Sequence, residues 1–343
     1  MSAHDQADPR VLDADATDGT DETRTRRPGA RDARLLTGLY RLGWASMLAN
    51  GLLIVTGGLV RLTGSGLGCP TWPRCTDSSW TNTPEMGIHG YIEFGNRTLT
   101  FVLTAIAVAT FVWGWRLRKT YPRLFALTVA LLAGIPLQAV IGGITVRMQL
   151  NPWIVGIHFI LSAVLVALAT LLVERTARAR AGRPVSTVGG PARAGLWGLA
   201  AGSALLLYLG TLVTGAGPHS GDSGDVARHE FDIEMLAKAH AWVAIAVTLL
   251  VVALLVGVPR LAQRAAQPGE ASEAGGVAGL PAVPGPAAMK RLTALLLVLL
   301  AQGALGYYQY FAGVPVVPVA IHLFGAAAIA ALATSAVERG LRG

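Results

Sequence analysis

Long apolar runs recur along this chain, and each is about 20 residues long, the length at which a helix crosses the roughly 30 Å hydrocarbon core of a bilayer. Charged residues make up only 14% of the sequence and cluster between these runs. This distribution is typical of membrane proteins rather than of large soluble cores. The sequence therefore predicts an all-α integral membrane protein with eight transmembrane helices. We place them at Leu39–Val60, Leu99–Trp115, Leu124–Val146, Trp153–Leu172, Leu196–Val213, Leu236–Val258, Leu292–Tyr310 and Pro315–Val337.

The basic residues predict how the helices are oriented. The net charge is +8, and 22 of the 28 Lys and Arg residues fall on the side of the membrane that holds the N-terminus. Because cytoplasmic loops are enriched in Lys and Arg, we expect a multi-pass protein of the cell membrane with both termini cytoplasmic. The charge excess is thus a topology signal and does not indicate nucleic-acid binding. The first 35 residues hold no apolar stretch, so no cleavable signal peptide is expected.

Composition divides the chain into four segments. Residues 1–35 are polar and aperiodic, which predicts a disordered cytoplasmic tail. Residues 36–175 hold the first four helices, 176–193 form a cytoplasmic loop, and 194–343 hold the last four helices. Within this last segment, residues 259–289 are rich in Pro, Gly and Ala, which predicts a flexible linker.

The two halves of the sequence resemble each other. The stretch Gly58–Gly66 recurs, shortened, as Thr211–Gly217. Gln138, Gly142 and His158 recur in the same order and with the same spacing as Gln302, Gly306 and His322. This repeat predicts two pseudo-symmetric four-helix bundles, related by an axis along the membrane normal.

Two histidines of the second half are candidates for an axial haem pair. His240 and His322 lie near the outer ends of the sixth and eighth predicted helices, at similar depth. Polar rings inside a membrane are costly and usually face the bundle interior, and facing helices can present two imidazoles to one haem iron. The alternative is that each ring bonds only to a neighbouring helix.

The first half matches this pattern only in part. His158 is the counterpart of His322, but Asn96 takes the place of His240, and Asn is a poor ligand for haem iron. This half should therefore hold a porphyrin weakly or through His158 alone. Glu93 and Arg97 lie near Asn96 on the same helix, so Glu93 either transfers protons in an apolar cavity or pairs with Arg97.

The first predicted outer loop contains the only two cysteines, Cys69 and Cys75. The outer compartment is oxidising, which predicts a short-range disulfide that is either a structural staple or a redox-active pair. Four arginines on the outer side are candidates for binding propionates, because the planar guanidinium suits carboxylates. They are Arg61, Arg97, Arg147 and Arg228.

Several motifs together point to a known family. The stretch Gly57–Cys75, with its sequence GGLVRLTGSGLGCPTWPRC, resembles the first outer loop of the haem A synthase family (CtaA/Cox15). Further stretches agree in the same order along the chain. They are Ile92–Arg97, Gly142–Val146, Asn151–Trp153 leading to His158, and Gly215–Asp222.

The resemblance implies an oxidoreductase that converts the C8 methyl group of haem O to the formyl group of haem A for cytochrome oxidase biogenesis. It implies a haem b on His240 and His322, and a substrate site for haem O with His158 on its iron and Glu93 as catalytic residue. Asn96 and Arg97 would line that site; many members have a second histidine where this chain has Asn96. Implied partners are haem O synthase and an unidentified electron acceptor, and a homo-oligomer is compatible with the sequence. The alternatives are a non-catalytic haem b carrier for oxidase assembly and a quinone-reducing cytochrome.

Overall fold

The computed structural model describes residues 28–183, 188, 190–219, 221–222, 224, 226–257, 259–260 and 285–342. Eight helices in these ranges are long and apolar enough to cross a membrane, one at each predicted span, so the all-α membrane fold is confirmed. They are α1 (Ala30–Leu62), α2 (Gly87–Trp115), α3 (Pro122–Arg147), α4 (Pro152–Ala181), α5 (Gly190–Ala216), α6 (Ile233–Val252), α7 (Pro286–Phe311) and α8 (Val316–Arg342).

Apart from α6, which begins three residues early but ends at Val252 instead of Val258, the helices are longer than the apolar runs from which they were predicted. The first begins at Ala30, so residues 30–35 of the predicted disordered tail are helical, and residues 1–27 lie outside the described part. Residues 176–181 of the predicted cytoplasmic loop continue α4, and α5 begins before that loop was predicted to end. Residues 286–289 of the predicted linker belong to α7, while 261–284 lie outside the described part. Apolar length marks the hydrocarbon crossing, whereas the helical hydrogen bonds continue into the polar interface.

Local sequence explains where several helices start. Proline occupies the first helical position of α3, α4 and α7, where its missing N–H costs nothing. Asn151 caps α4 by accepting a hydrogen bond from the Trp153 N–H. Asp232 caps α6 by accepting from the N–H groups of Glu234 and Met235.

Each half forms a closed ring of four helices. In the first half, α1 contacts α2, α2 contacts α3, α3 contacts α4, and α4 returns to α1; the same cyclic order holds for α5 to α8. The halves meet through α1 and α4 on one side and α5 and α8 on the other, around a small-residue cluster that includes Ala163, Ala327 and Ala330. Small residues let membrane helices approach closely. The symmetry axis relating the halves stays a prediction.

A buried charge network also joins the halves, at the ends of α4 and α8. Glu338 of α8 accepts hydrogen bonds from Arg175 of α4 at 3.1 Å, while Glu174 of α4 pairs with Arg339 of α8 at 2.6 Å. The two sequences concerned are Val-Glu-Arg-Thr-Ala-Arg (173–178) and Val-Glu-Arg-Gly-Leu-Arg (337–342), 164 residues apart. The spacing between His158 and His322 is also 164 residues, so this network belongs to the same repeat.

Candidate functional site

The second half brings its two predicted haem ligands together. His240 on α6 and His322 on α8 have ring centroids 6.4 Å apart, with an angle of 62° between the ring planes. Each ring also faces a glycine on the preceding helix. A Cβ atom at Gly210 would lie 3.3 Å from Cε1 of His240, and one at Gly306 would lie 3.7 Å from Cε1 of His322. The two glycines therefore leave space beside the rings that a larger side chain would fill.

The spacing of these rings agrees with that of an axial pair. An iron held between two imidazole nitrogens at about 2 Å each puts the ring centroids about 6 Å apart. The Nδ1 atoms of His240 and His322 and Oε1 of Gln302 are buried without a hydrogen-bond partner among the described residues, although the Leu206 backbone lies near His240. Buried polar groups without partners are rare, and a bound group is one explanation for several of them lying close together. The residues present thus fit a haem group.

The first half repeats this arrangement with one substitution. His158 on α4 lies against Gly142 of α3, where a Cβ atom would be 3.2 Å from its Cε1 atom. Asn96 on α2 lies against Gly57 of α1, whose Cβ would be 4.0 Å from its Nδ2 atom. Because His240 in the second half lies against a glycine in the same way, these contacts support Asn96 as its counterpart.

Unpartnered polar groups line the first half as well. Oδ1 of Asn96, Oε1 of Gln138 and Nδ1 of His158 are buried with no partner among the described residues. The amide of Gln138 donates to the His158 carbonyl oxygen at 3.3 Å and to Oγ of Ser162 at 2.5 Å. Gln138 therefore fixes the backbone that carries the histidine while leaving its own oxygen unused.

Glu93 is buried in an ion pair, the simpler of its two predicted roles. Its Oε1 atom accepts from Arg97, with Nη2 at 2.5 Å and Nε at 3.1 Å, and its Oε2 atom accepts from the Cys69 N–H at 2.5 Å. The carboxylate is 5% exposed. These contacts join α2 to the first outer loop, and they leave the proton-transfer role a proposal.

The first outer loop contains the predicted disulfide between Cys69 and Cys75. Arg97 holds this loop in place by donating to three of its carbonyl oxygens, those of Cys69 (3.0 Å), Thr71 (3.1 Å) and Arg74 (3.3 Å). Arg97, one of the propionate candidates, is thus occupied by the ion pair and the loop backbone.

The other three arginines suggested for propionates also bind backbone carbonyls. Arg61 at the end of α1 reaches the second half, where Nε donates to the His219 carbonyl at 2.5 Å and Nη2 to the Thr214 carbonyl at 2.6 Å. Arg147 donates to the Trp72 carbonyl at 3.0 Å, and Arg228 to the Pro218 carbonyl at 3.3 Å. Arg61 therefore connects the two halves, a role that the sequence did not reveal.

Two further histidines have partners away from the candidate ligands. His89 lies 2.8 Å from Oγ of Ser65 through its Nδ1 atom. His219 lies 2.8 Å from the Val314 carbonyl oxygen through its Nε2 atom. His89 thus joins α2 to the loop that follows α1, and His219 joins two loops of the second half.

The third such histidine, His229, is a packing residue between the halves. Its ring is 8% exposed and stacks edge-on against Trp153 with centroids 4.4 Å apart. Gly215 at the end of α5 leaves room for it. Burial and the nearby Arg61 guanidinium lower the pKa of His229 below its ordinary value of 6.5, so the ring is neutral at pH 7.

The sequence marked Gly142 and Gly306 as members of the repeat, but it did not predict that they, or Gly57 and Gly210, face the candidate ligands. Gly57 begins the sequence Gly-Gly-Leu-Val and Gly210 begins Gly-Thr-Leu-Val, so both open the repeated Leu-Val stretch. The signal was present, but a glycine in a membrane helix indicates close packing without saying which side chain uses the space.

Comparison with known proteins gives one family and several relatives. A family model, COX15-CtaA, described as a cytochrome oxidase assembly protein, matches residues 40–283. The heme A synthase of Shouchella clausii is 32% identical over 136 residues, which cover 39% of this chain and 44% of that protein. The heme A synthase of Symbiobacterium thermophilum is 30% identical over 169 residues, or 47% and 54% of the two chains. These matches span about half the length of the curated relatives.

Proposed function

The chain belongs to the COX15-CtaA family of cytochrome oxidase assembly proteins, and we propose from this that it is a haem A synthase. The reaction would oxidise the C8 methyl group of haem O to a formyl group. The names of the similar proteins support this activity. The single observation that carries it is the facing pair of His240 and His322, whose surroundings recur in part around His158 in the first half.

The second half would hold the resident haem b. His240 and His322 are its proposed axial ligands, supported by the 6.4 Å between their ring centroids and by the glycine beside each ring. When bound, this haem supplies one-electron chemistry. The protein contributes by fixing both rings on packed helices and by keeping water from them.

The first half would hold the substrate haem O. His158 is its proposed iron ligand, oriented by the bond between Gln138 and the His158 carbonyl. Glu93 is the proposed proton acceptor for the methyl group that is oxidised. Its Oε2 atom accepts only from the Cys69 N–H and keeps a second lone pair, so Glu93 can take up a proton there without leaving Arg97 or Cys69.

The proposal extends to location and partners. The concentration of Lys and Arg on one side supports a cell-membrane protein with cytoplasmic termini, surrounded by lipid. A haem O synthase would supply the substrate, an unidentified electron acceptor would take the electrons, and a homo-oligomer is compatible with the fold.

Pigment analysis tests the proposed ligands. His240→Ala and His322→Ala should each abolish the b-type spectrum of the purified protein, because one imidazole alone does not hold a low-spin haem. The matched control is His219→Ala, whose ring contacts only loop backbone among its described polar partners, and this variant should keep the spectrum. An unchanged spectrum in the first two variants would refute the assignment.

The role of Glu93 can be separated from its role in the loop. Glu93→Gln keeps an oxygen for the Cys69 N–H but cannot take up a proton as a carboxylate does, so haem A should disappear while haem b stays bound. Arg97→Gln breaks the same ion pair yet leaves the carboxylate in place, and we expect it to retain part of the activity. Full activity in Glu93→Gln would remove Glu93 from the mechanism.

The main rival is a non-catalytic haem carrier, which Asn96 favours because it removes a ligand from the first half. Extracting pigments from cells with and without the gene decides between the two. Loss of haem A with accumulation of haem O supports the synthase, whereas unchanged haem A supports the carrier.

A further inference from the structure

The disulfide loop lies across two helices of the first half. At one side, Glu93 and Arg97 of α2 bind its backbone through the Cys69 N–H and the carbonyls of Cys69 and Thr71. At the other side it reaches α3 through Trp72. The loop therefore bridges α2, which carries Asn96, and α3, which carries the glycine beside His158.

The side chain of Trp72 packs on Gly143 of α3, which forms its seat. Its ring lies directly on Gly143, where any Cβ atom would clash with the ring. Arg147, one turn further along the same face, donates to the Trp72 carbonyl at 3.0 Å and places its guanidinium 5.8 Å from the ring centroid. Gly143 is adjacent to Gly142, which faces the ring of His158, so the seat of Trp72 lies at the level of the candidate substrate site.

The second half lacks this seat. Adding 164 to the residue number maps Gly142 onto Gly306, and both glycines face a histidine. The same shift maps Gly143 onto Tyr307 and Arg147 onto Phe311. These aromatic side chains are 72% and 71% exposed and stack on each other, with ring centroids 5.2 Å apart. The seat at Gly143 and the arginine at position 147 are therefore specific to the first half.

We propose that the disulfide loop is a lid on the first half and that Trp72, seated on Gly143 beneath Arg147, is its latch. This inference rests on the proposed function, since only the first half has to exchange one porphyrin for another while the second half keeps its haem. The asymmetry between Gly143 and Tyr307 matches that division. Opening of the lid would set the rate at which porphyrin enters and leaves.

Exchange of ferric haem b tests the latch. The purified full-length protein is loaded with one equivalent of ferric haem b beyond the amount that copurifies, and transfer to excess haem-free globin is followed by absorbance. Trp72→Ala should release the added haem about tenfold faster than the unsubstituted protein, because it removes a half-buried aromatic anchor. The matched control is Trp80→Ala, which alters a 63% exposed tryptophan in the same outer segment and should release haem at the unsubstituted rate.

A second variant tests the seat from the other side. Gly143→Val places a side chain where the Trp72 ring lies, so it should accelerate the release of the added haem as Trp72→Ala does. Gly303→Val is the control, because open space surrounds that helix position, and it should not change the release rate. The copurifying b-type spectrum shows that each variant has folded. Equal release rates in all proteins, or no uptake of the added haem, would overturn the lid. If the unsubstituted protein makes no haem A while the Trp72→Ala variant still releases haem faster, the proposed function is refuted and the lid is supported.

Discussion

At the scale of single residues, the two halves share a glycine beside each candidate ligand and differ by an asparagine in place of one histidine. His240, His322 and His158 each face a glycine across a helix boundary, and so does Asn96. The framework for two equivalent sites is therefore intact. The chemical difference between them comes down to one side chain, an amide that can donate or accept a hydrogen bond but binds iron poorly.

Asn96→His should restore the missing ligand. Asn96 faces Gly57 as His240 faces Gly210, so the new imidazole would also lie against a helix position without a Cβ atom. We expect added ferric haem in the first half to change from a high-spin to a low-spin spectrum and to be released more slowly. Electronic and EPR spectra measure the change. Asn96→Gln keeps the amide and serves as control, and a high-spin spectrum in both variants would contradict the equivalence of Asn96 and His240.

The repeat in the sequence predicted residues that have matching surroundings in the structure. Side-chain type alone did not predict which groups the arginines contact. The equal spacing of Gln138 to His158 and Gln302 to His322 marked two residues that the structure places beside matching glycines. Four arginines were grouped as propionate ligands because guanidinium suits carboxylates. In the structure all four arginines donate to backbone carbonyls. Loops that fold over a helix bundle present such carbonyl groups, and the sequence does not show where they lie.

At the scale of helices, hydropathy located every span but not the ends. The first helix begins nine residues before Leu39, where Arg31 and Arg34 lie outside any apolar run. Charged residues near helix ends can remain helical in the interface because their backbone hydrogen bonds are internal to the segment. Apolar length alone therefore underestimates the length of every helix except α6, whose α-helical part ends at Val252, before the predicted end at Val258.

The reciprocal contacts of α4 and α8 predict a large effect from a single carboxylate. Glu338 is 5% exposed and lies within ion-pair distance of Arg175, Arg178 and Arg342. Glu338→Gln leaves these guanidinium groups without a counter-charge, so the free energy of unfolding should fall by about 3 kcal/mol. Thermal unfolding in detergent, followed by circular dichroism, measures this loss.

The control for Glu338 is Glu234→Gln. Glu234 forms an ion pair with Lys238 at 2.6 Å, but both side chains are more than half exposed. Solvent screens exposed ion pairs, so this variant should unfold close to the unsubstituted temperature. Equal losses in the two variants would show that the α4–α8 network does not hold the helices together.

The whole molecule is two rings of helices tied together at both ends. At the ends of α4 and α8, Glu174 and Glu338 each pair with arginines of the other half. At the outer end, the Gly66 N–H donates to the Gly221 carbonyl at 2.8 Å. Reciprocal contacts of this kind resemble those of a two-fold dimer, in which each subunit offers the same surface. The chain thus behaves as two similar units that are held at a fixed relative position.

Arg61 forms two further hydrogen bonds between the halves at this end. It belongs to the first half but donates to the carbonyls of Thr214 and His219 in the second, and each hydrogen bond to a charged group contributes about 1.5–3 kcal/mol. Arg61→Gln should therefore loosen the halves at the outer end. We expect thermal unfolding in detergent to lose its single transition, with b-type absorbance and circular dichroism changing at different temperatures, because the second half then unfolds separately.

Arg74→Gln is the matched control, since Arg74 is exposed and its side chain bonds within its own loop. If Arg61→Gln lowers Tm no more than Arg74→Gln and both probes still coincide, the halves are held together by α4, α8 and their small-residue interface alone.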